Sequence, residues 1–199
     1  MKTGALAVGE GVLADLMFGS TGKRSLAHNA LIALAASLLL GAAAKARIDI
    51  GVVPVTMQSL VVLALGAALG PRLAAAAVLA YLAQGALGLP VFAGTPEKGI
   101  GLAYMVGPTG GYLLGFLIAA VAIGWLAERG ADRSPVRMFL AMLAATALIY
   151  VPGALWLSAF VGLEKALVLG VAPFLAGDVI KAALAAAVFP AVWALARRV

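Results

Sequence analysis

Uninterrupted apolar runs long enough to cross a lipid bilayer leave this chain few possible folds. Six follow one another: Leu26 to Ala44, Pro54 to Leu69, Leu73 to Leu87, Gly110 to Ala127, Val136 to about Trp156, and about Pro173 to Ala196. A helical crossing takes about 20 apolar residues, with roughly 17 as a lower bound. Composition agrees. Of 199 residues 64% are apolar and 11% charged, and the mean hydropathy is +1.11. A soluble domain has about 45–50% apolar and about 25% charged residues, and one of this size leaves roughly a third of its surface wet. The expected fold is therefore an all-α integral membrane protein of six transmembrane helices. The formal net charge of +6 does not indicate nucleic acid, because the basic residues are scattered between apolar runs and form no patch. With no Cys and a single His, His28, thiol chemistry, disulfides and multi-His metal sites are excluded.

Gly and Pro punctuate the runs. Gly70-Pro71-Arg72 breaks the second from the third, Gly88-Leu89-Pro90 stops the third, and Gly107-Pro108-Thr109 precedes the fourth. Pro54 suits a first helical turn, where its missing N–H does no harm, and Pro152-Gly153 is expected to kink the end of the fifth helix. Runs two and three, near 15 residues each, reach only about 23 Å. Helices that short can leave a recess at one membrane face. A re-entrant hairpin is the alternative, but two crossings balance the charges better. With the N-terminus inside, Lys2, Lys23, Arg24, Arg72, Arg129, Arg133, Arg137, Arg197 and Arg198 are internal, against Lys45, Arg47, Lys98 and Lys165 outside. The positive-inside rule favours that orientation, with both termini cytoplasmic. The outside connections, 45–53, 88–109 and 157–172, are the longer ones, and long structured loops mark the face that recognises ligands.

Residues 1–25 are expected to be a leader, followed by a single membrane domain over 26–199. Within the leader, Val8 to Phe18 reads as a short amphipathic helix on the membrane surface, with a frayed tail as the alternative. The leader lacks the pattern of a cleaved signal peptide.

Ionisable groups inside a span are expensive and usually functional. Asp178 and Lys181 open the sixth helix three residues apart, on one face. They read as the polar floor of a ligand pocket, or as an ion pair that only holds the helix. Gln84, in the third helix, can read a polar ligand through its amide or bond to a neighbouring helix. Thr56 and Gln58 lie at the outer end of helix two, where Thr56 can also cap the helix. Glu97 and Lys98 lie in the longest outer loop, and Tyr112 starts helix four on the same face. Ala33, Ser37 and Gly41 make a stripe of small side chains on helix one, which lets another helix of this chain or of a partner approach closely.

Several strings carry a family resemblance: Val53-Pro-Val-Thr-Met-Gln-Ser-Leu60, Leu69-Gly-Pro-Arg72, Gly88-Leu-Pro-Val-Phe-Ala-Gly94, Gly107-Pro-Thr-Gly-Gly-Tyr-Leu-Leu-Gly-Phe116 and Gly177-Asp-Val-Ile-Lys181. In this order, and from about residue 26 to the end, the chain resembles BioY, the biotin-specific substrate-binding subunit family of energy-coupling-factor (ECF) transporters. The resemblance implies a multi-pass protein of the inner (plasma) membrane that captures biotin at the outer face. Its partners would be a transmembrane coupling subunit, cytoplasmic ATPases and membrane lipid, with no cofactor and no catalysis of its own. It makes Asp178 and Lys181 the polar pair of the site, Gln84 a contact to the ureido ring, and Lys98 a basic group near the ligand carboxylate. It likens Ser37-x-x-x-Gly41, with Ala33, to a partner-docking motif. The stretch Arg47-Ile-Asp-Ile-Gly51 is more charged than the corresponding family loop.

Biotin has two ureido N–H donors, one C=O acceptor, an apolar sulfur ring and a carboxylate tail. An ionised Asp178 suits an N–H donor, Phe92, Tyr81 and Tyr112 can wall the ring, and Lys98 or Lys181 suits the tail. The competing readings are an intramembrane enzyme and a structural subunit without a small ligand. The first lacks a nucleophile–base pair, and no phosphate-binding Gly-x-x-x-x-Gly-Lys-Ser/Thr string is present.

Overall fold

The computed structural model describes residues 11–19, 24–48 and 52–196. Of the sequence expectations, Lys2, Lys23, Arg197, Arg198, the Val8–Glu10 part of the surface helix and Asp49–Gly51 of the charged loop lie outside these. The elements are α1 (Leu13–Phe18), α2 (Leu26–Lys45), β1 (Arg47–Ile48), β2 (Val55–Thr56), α3 (Gln58–Leu69), α4 (Pro71–Ala86), α5 (Leu102–Met105), α6 (Gly110–Glu128), α7 (Pro135–Val161), α8 (Leu163–Gly170) and α9 (Ala172–Ala196). Apart from the two-strand ribbon the fold is all helical. Among the described residues, four helical stretches are long and apolar enough to cross a membrane: Leu26–Lys45, Gly110–Glu128, Pro135–Val161 and Leu163–Ala196. α3 has 12 residues and α4 has 16, so they span only about 18 and 24 Å.

The surface is that of a protein solvated by lipid. Leu31, Leu38, Ile118, Leu140, Leu155, Ile180 and Leu184 all point outward. α6 is central, packed against α3, α4 and α7. Glycines permit the closest of these approaches. A Cβ built on Gly115 of α6 would lie 2.8 Å from both Cα and the carbonyl oxygen of Ile149 in α7. One built on Gly66 of α3 would lie 2.7 Å from the carbonyl oxygen of Ala120 in α6. Without a hydrophobic driving force between helices in lipid, such close backbone packing is what associates them.

Three boundaries differ from the sequence expectation. Pro54 is not in a helical turn, because the chain stays extended through β2 and α3 begins at Gln58. The residue before a proline avoids helical angles, and the β-branched pair Val55-Thr56 finds ladder partners in Ile48 and Arg47. The Thr56 hydroxyl then accepts from Gln58 N at 3.2 Å, serving the first turn of α3. α7 runs through Pro152 to Val161, since a membrane helix can re-satisfy the groups a proline frees. The 157–172 connection is accordingly no loop but the end of α7 plus α8.

The small-residue stripe of α2 is corrected in its role. Ala33, Ser37 and Gly41 are buried, facing α4 and the segment after it. The Ser37 hydroxyl donates to Leu34 O at 2.7 Å and accepts from Gln84 Nε2 at 2.8 Å, while a Cβ on Gly41 would meet Val91 at 3.5 Å. The stripe is used up in an internal contact. The face of α2 turned to lipid is instead leucine-rich, with Leu31, Leu34, Leu38 and Leu39.

At the opposite end from the long loop, α1 packs on α3. Asp15 accepts from Val12 N at 3.1 Å and pairs with Arg24 at 2.6 Å. Arg133 donates to Gly11 O at 2.9 Å and stacks 4.7 Å over the Trp193 ring. Trp193 Nε1 donates to the fully buried Asp132 at 2.5 Å. Burial pushes the Asp132 carboxyl up, against the pull of the Trp193 hydrogen bond and the Arg133 charge. These contacts join Gly11–Asp15, Arg24, the α6–α7 turn and the end of α9 at this end of the bundle.

Candidate functional site

At the end of the bundle where α3, α6 and α9 begin, the helices splay around a half-open cavity. Its floor is polar and its walls are apolar. Phe116 and Tyr112 come from α6, Ile149 from α7 and Phe174 from α9, while Ala93 and Tyr104 of the long loop close one side. The shortness of α3 makes room for the ribbon and loop to roof the space within the bundle.

The floor centres on Asp178, which is 6% exposed. Its Oδ1 accepts from Lys181 Nζ at 2.9 Å and from Ser59 Oγ at 3.2 Å, and its Oδ2 accepts from the Tyr150 hydroxyl. Lys181 Nζ also donates to Ser59 Oγ at 2.8 Å and to Thr56 O at 3.2 Å. One helical turn brings the acid and the base to the same face of α9, and α3 and α7 supply the hydroxyls that orient them. A carboxylate held by several donors in a poorly hydrated recess remains a strong acceptor for one further N–H.

The structure distributes the sequence-derived candidates over four zones. Asp178 and Tyr112 line the cavity, and Lys181 is bonded to Asp178. Tyr112 also donates to Gly170 O at 2.9 Å, joining α6 to the end of α8. Tyr81 and Phe92 stand behind the wall. The Tyr81 hydroxyl accepts from Gln58 Nε2 at 2.7 Å, and Phe92 is edge-on to Tyr81 at 5.3 Å and stacked on Tyr104 at 4.8 Å. Of these, Gln58 and Tyr104 reach the cavity. Lys98 lies at the rim with Nζ 3.5 Å from Val52 O. Gln84 is on the far side of α4, bonded to Ser37 and not part of the lining. Gln84→Leu is therefore expected to leave ligand affinity within about twofold, while lowering stability by about 0.6 kcal/mol, the average for such interhelical bonds in membranes. A ligand titration and a thermal melt of the same variant check both.

Ser59, Thr146 and Tyr150 line the cavity and were not singled out from the sequence. A usable signal existed for two of them. Thr146 and Tyr150 are four residues apart in an otherwise apolar run, which puts both on one helical face.

A profile of the BioY family matches residues 17–198. The probable biotin transporter BioY of Pyrococcus horikoshii is 42% identical over 147 residues, covering 74% of this chain and 85% of the relative. The biotin transporter BioY of Thermotoga maritima is 40% identical over 141 residues, covering 70% and 80%. The crystal structure of the S-component for biotin from an ECF-type ABC transporter superposes with a TM-score of 0.71 at 25% identity, covering 83% of this chain and 90% of that one. Sequence and fold thus agree along most of the length, and the chain belongs to the BioY family.

Proposed function

We propose that this chain is the biotin-capturing subunit of an ECF-type transporter in the cell's plasma (inner) membrane. In this reading six helices, α2, α3, α4, α6, α7 and α9, cross the bilayer with both termini cytoplasmic. Biotin enters from the outer face, and uptake is driven by a transmembrane coupling subunit and its ATPases, because this chain carries no nucleotide-binding string. The observation that carries the reading is the mostly apolar cavity whose one carboxylate, among the described residues, is Asp178. The names of the relatives at about two-fifths identity support it.

Asp178 accepts a ureido N–H, and the Gln58 amide, which has a second N–H beyond the one given to Tyr81, donates to the ureido carbonyl. The sulfur ring packs against Tyr112, Phe116, Ile149 and Phe174. Nothing in such a site breaks a bond: it desolvates the ligand and reads its polar edge, which is the work of a binding subunit. Titration of the purified chain with biotin, and with other small vitamins as controls, tests this. Saturable binding of biotin alone is expected. Binding of another vitamin in preference to biotin refutes the proposal.

Tyr150 is a positioning residue in this reading, since its hydroxyl holds the second oxygen of Asp178. Tyr150→Phe removes one hydrogen bond to a charged group, worth about 1.5–3 kcal/mol. Biotin affinity is expected to fall roughly tenfold or more, with the fold intact by circular dichroism.

A further inference from the structure

The floor of the cavity accounts for a ureido ring but not for a carboxylate tail, which needs a cation at the mouth. We infer that Arg47 of β1 receives the ligand's carboxylate there, exchanging it for Glu97; this rests on the biotin reading above. Arg47 is directly opposite Thr56 in the ribbon. Directly opposed residues of an antiparallel pair project from the same face, and Thr56 lines the cavity. The guanidinium is correspondingly close to the loop that closes the cavity: Nη1 lies 3.1 Å from where a Cβ on Gly94 would be. Gly94 follows Ala93, a lining residue. Tyr104, also in the lining, feels the same cation, because the Arg47 charge partly offsets the upward push that burial gives its hydroxyl.

The other cations nearby have different employment. Lys45 Nζ holds the loop through Phe92 O at 3.1 Å, Thr95 O at 3.3 Å and Thr95 Oγ1 at 3.0 Å. Lys181 is committed to Asp178, Ser59 and Thr56 O. Lys98 shares the mouth, its Cδ 2.9 Å from the same missing Cβ of Gly94. Arg47 differs from these lysines in its donor set. A guanidinium has several N–H groups in a planar fork that matches a carboxylate bidentately, so it can exchange Glu97 for the ligand and keep its other contacts. One acidic partner, Glu97, is suited to exchange. The Arg47–Glu97 distance is 3.6 Å and the Glu97 side chain is 67% exposed, and solvated ion pairs of this kind contribute little. Among the described residues, Lys45, Arg47 and Lys98 outnumber Glu97 at the mouth, which draws an anionic ligand inward.

The experiment compares biotin with biotinamide, in which a neutral carboxamide replaces the carboxylate. Dissociation constants for both are measured on the full chain, on Arg47→Gln, on Arg47→Lys and on Lys98→Gln. The wild-type protein is expected to prefer biotin by about tenfold or more, the worth of a charge-assisted pair. Arg47→Gln should collapse that preference to about twofold or less while leaving biotinamide binding nearly unchanged, and Arg47→Lys should restore part of it. A preference that survives Arg47→Gln, or that disappears only in Lys98→Gln, overturns the role of Arg47. Because the readout is a ratio between two ligands, general damage to the ribbon cannot imitate it. Failure of the wild-type chain to bind either ligand would instead sink the biotin reading.

Discussion

Asp178→Asn lowers the affinity for biotin by about thirtyfold to several thousandfold, the equivalent of about 2–5 kcal/mol, while the chain stays folded. The substitution keeps the size and one oxygen of the side chain but removes its charge. In the native site the two carboxylate oxygens accept from Lys181, Ser59 and Tyr150. An amide in their place turns one acceptor into a donor, so a donor meets a donor beside Tyr150 or beside Lys181. Lys181, whose side chain is 14% exposed, is then a cation without its counter-ion in a recess lined mostly by apolar groups. Most of the loss is the penalty for that unpaired charge, together with the weaker hydrogen bond offered to the ureido N–H. Calorimetric titration in detergent or lipid discs checks the affinity, and a thermal melt checks the fold. Wild-type affinity in a folded Asp178→Asn protein would remove Asp178 from the site.

The second large effect concerns the packing that builds the site. Gly115→Leu is expected to cost about 3 kcal/mol or more and to yield little folded protein. The added Cβ alone would sit 2.8 Å from Ile149 Cα and O. These are backbone atoms, so no side chain can swing away, and α7 would have to withdraw from α6 as a whole. Ile149 and its neighbour Tyr150 both line the cavity, and binding should vanish along with the fold. Gly177→Ala is the control. Although it adjoins Asp178 in sequence, a Cβ there meets nothing within 4 Å, and alanine is the better helix former. Stability in that variant should hold or rise. Expression yield and melting temperature of the two proteins in one detergent separate the outcomes, and equal stability of the two variants would contradict the packing described.

The difference between these two glycines shows where a linear reading stops. Both sit in apolar helical runs, and only the packed structure tells that one faces a backbone and the other open space. The same holds for the two glutamines. Gln84 and Gln58 are equally plausible amides for a ureido ring in sequence, yet α4 turns Gln84 toward Ser37 while Gln58 reaches the cavity. The Ala33-Ser37-Gly41 stripe is another such case. Its spacing indicates close approach correctly, but spacing does not name the partner, and the partner is α4. Asp178 and Lys181 were legible for the opposite reason: a charge in an apolar run is too costly to be incidental, and three residues of helix place both on one face whatever surrounds them.

Apolar length and local helical periodicity therefore determined that the chain is a helical membrane protein, and that an acid and a base share one face near the start of its last long helix. Tertiary structure decided which hydroxyls hold that pair, that the small-residue stripe is internal, and that Arg47 stands opposite Thr56 beside the cavity roof. The physical reason is rotation. A helix in lipid is apolar on nearly all sides, so hydrophobicity does not select which face turns inward. About 100° per residue separates one face from the next. That angle is set by glycine contacts such as Gly66 on Ala120 and Gly115 on Ile149, which exist only once the helices are side by side.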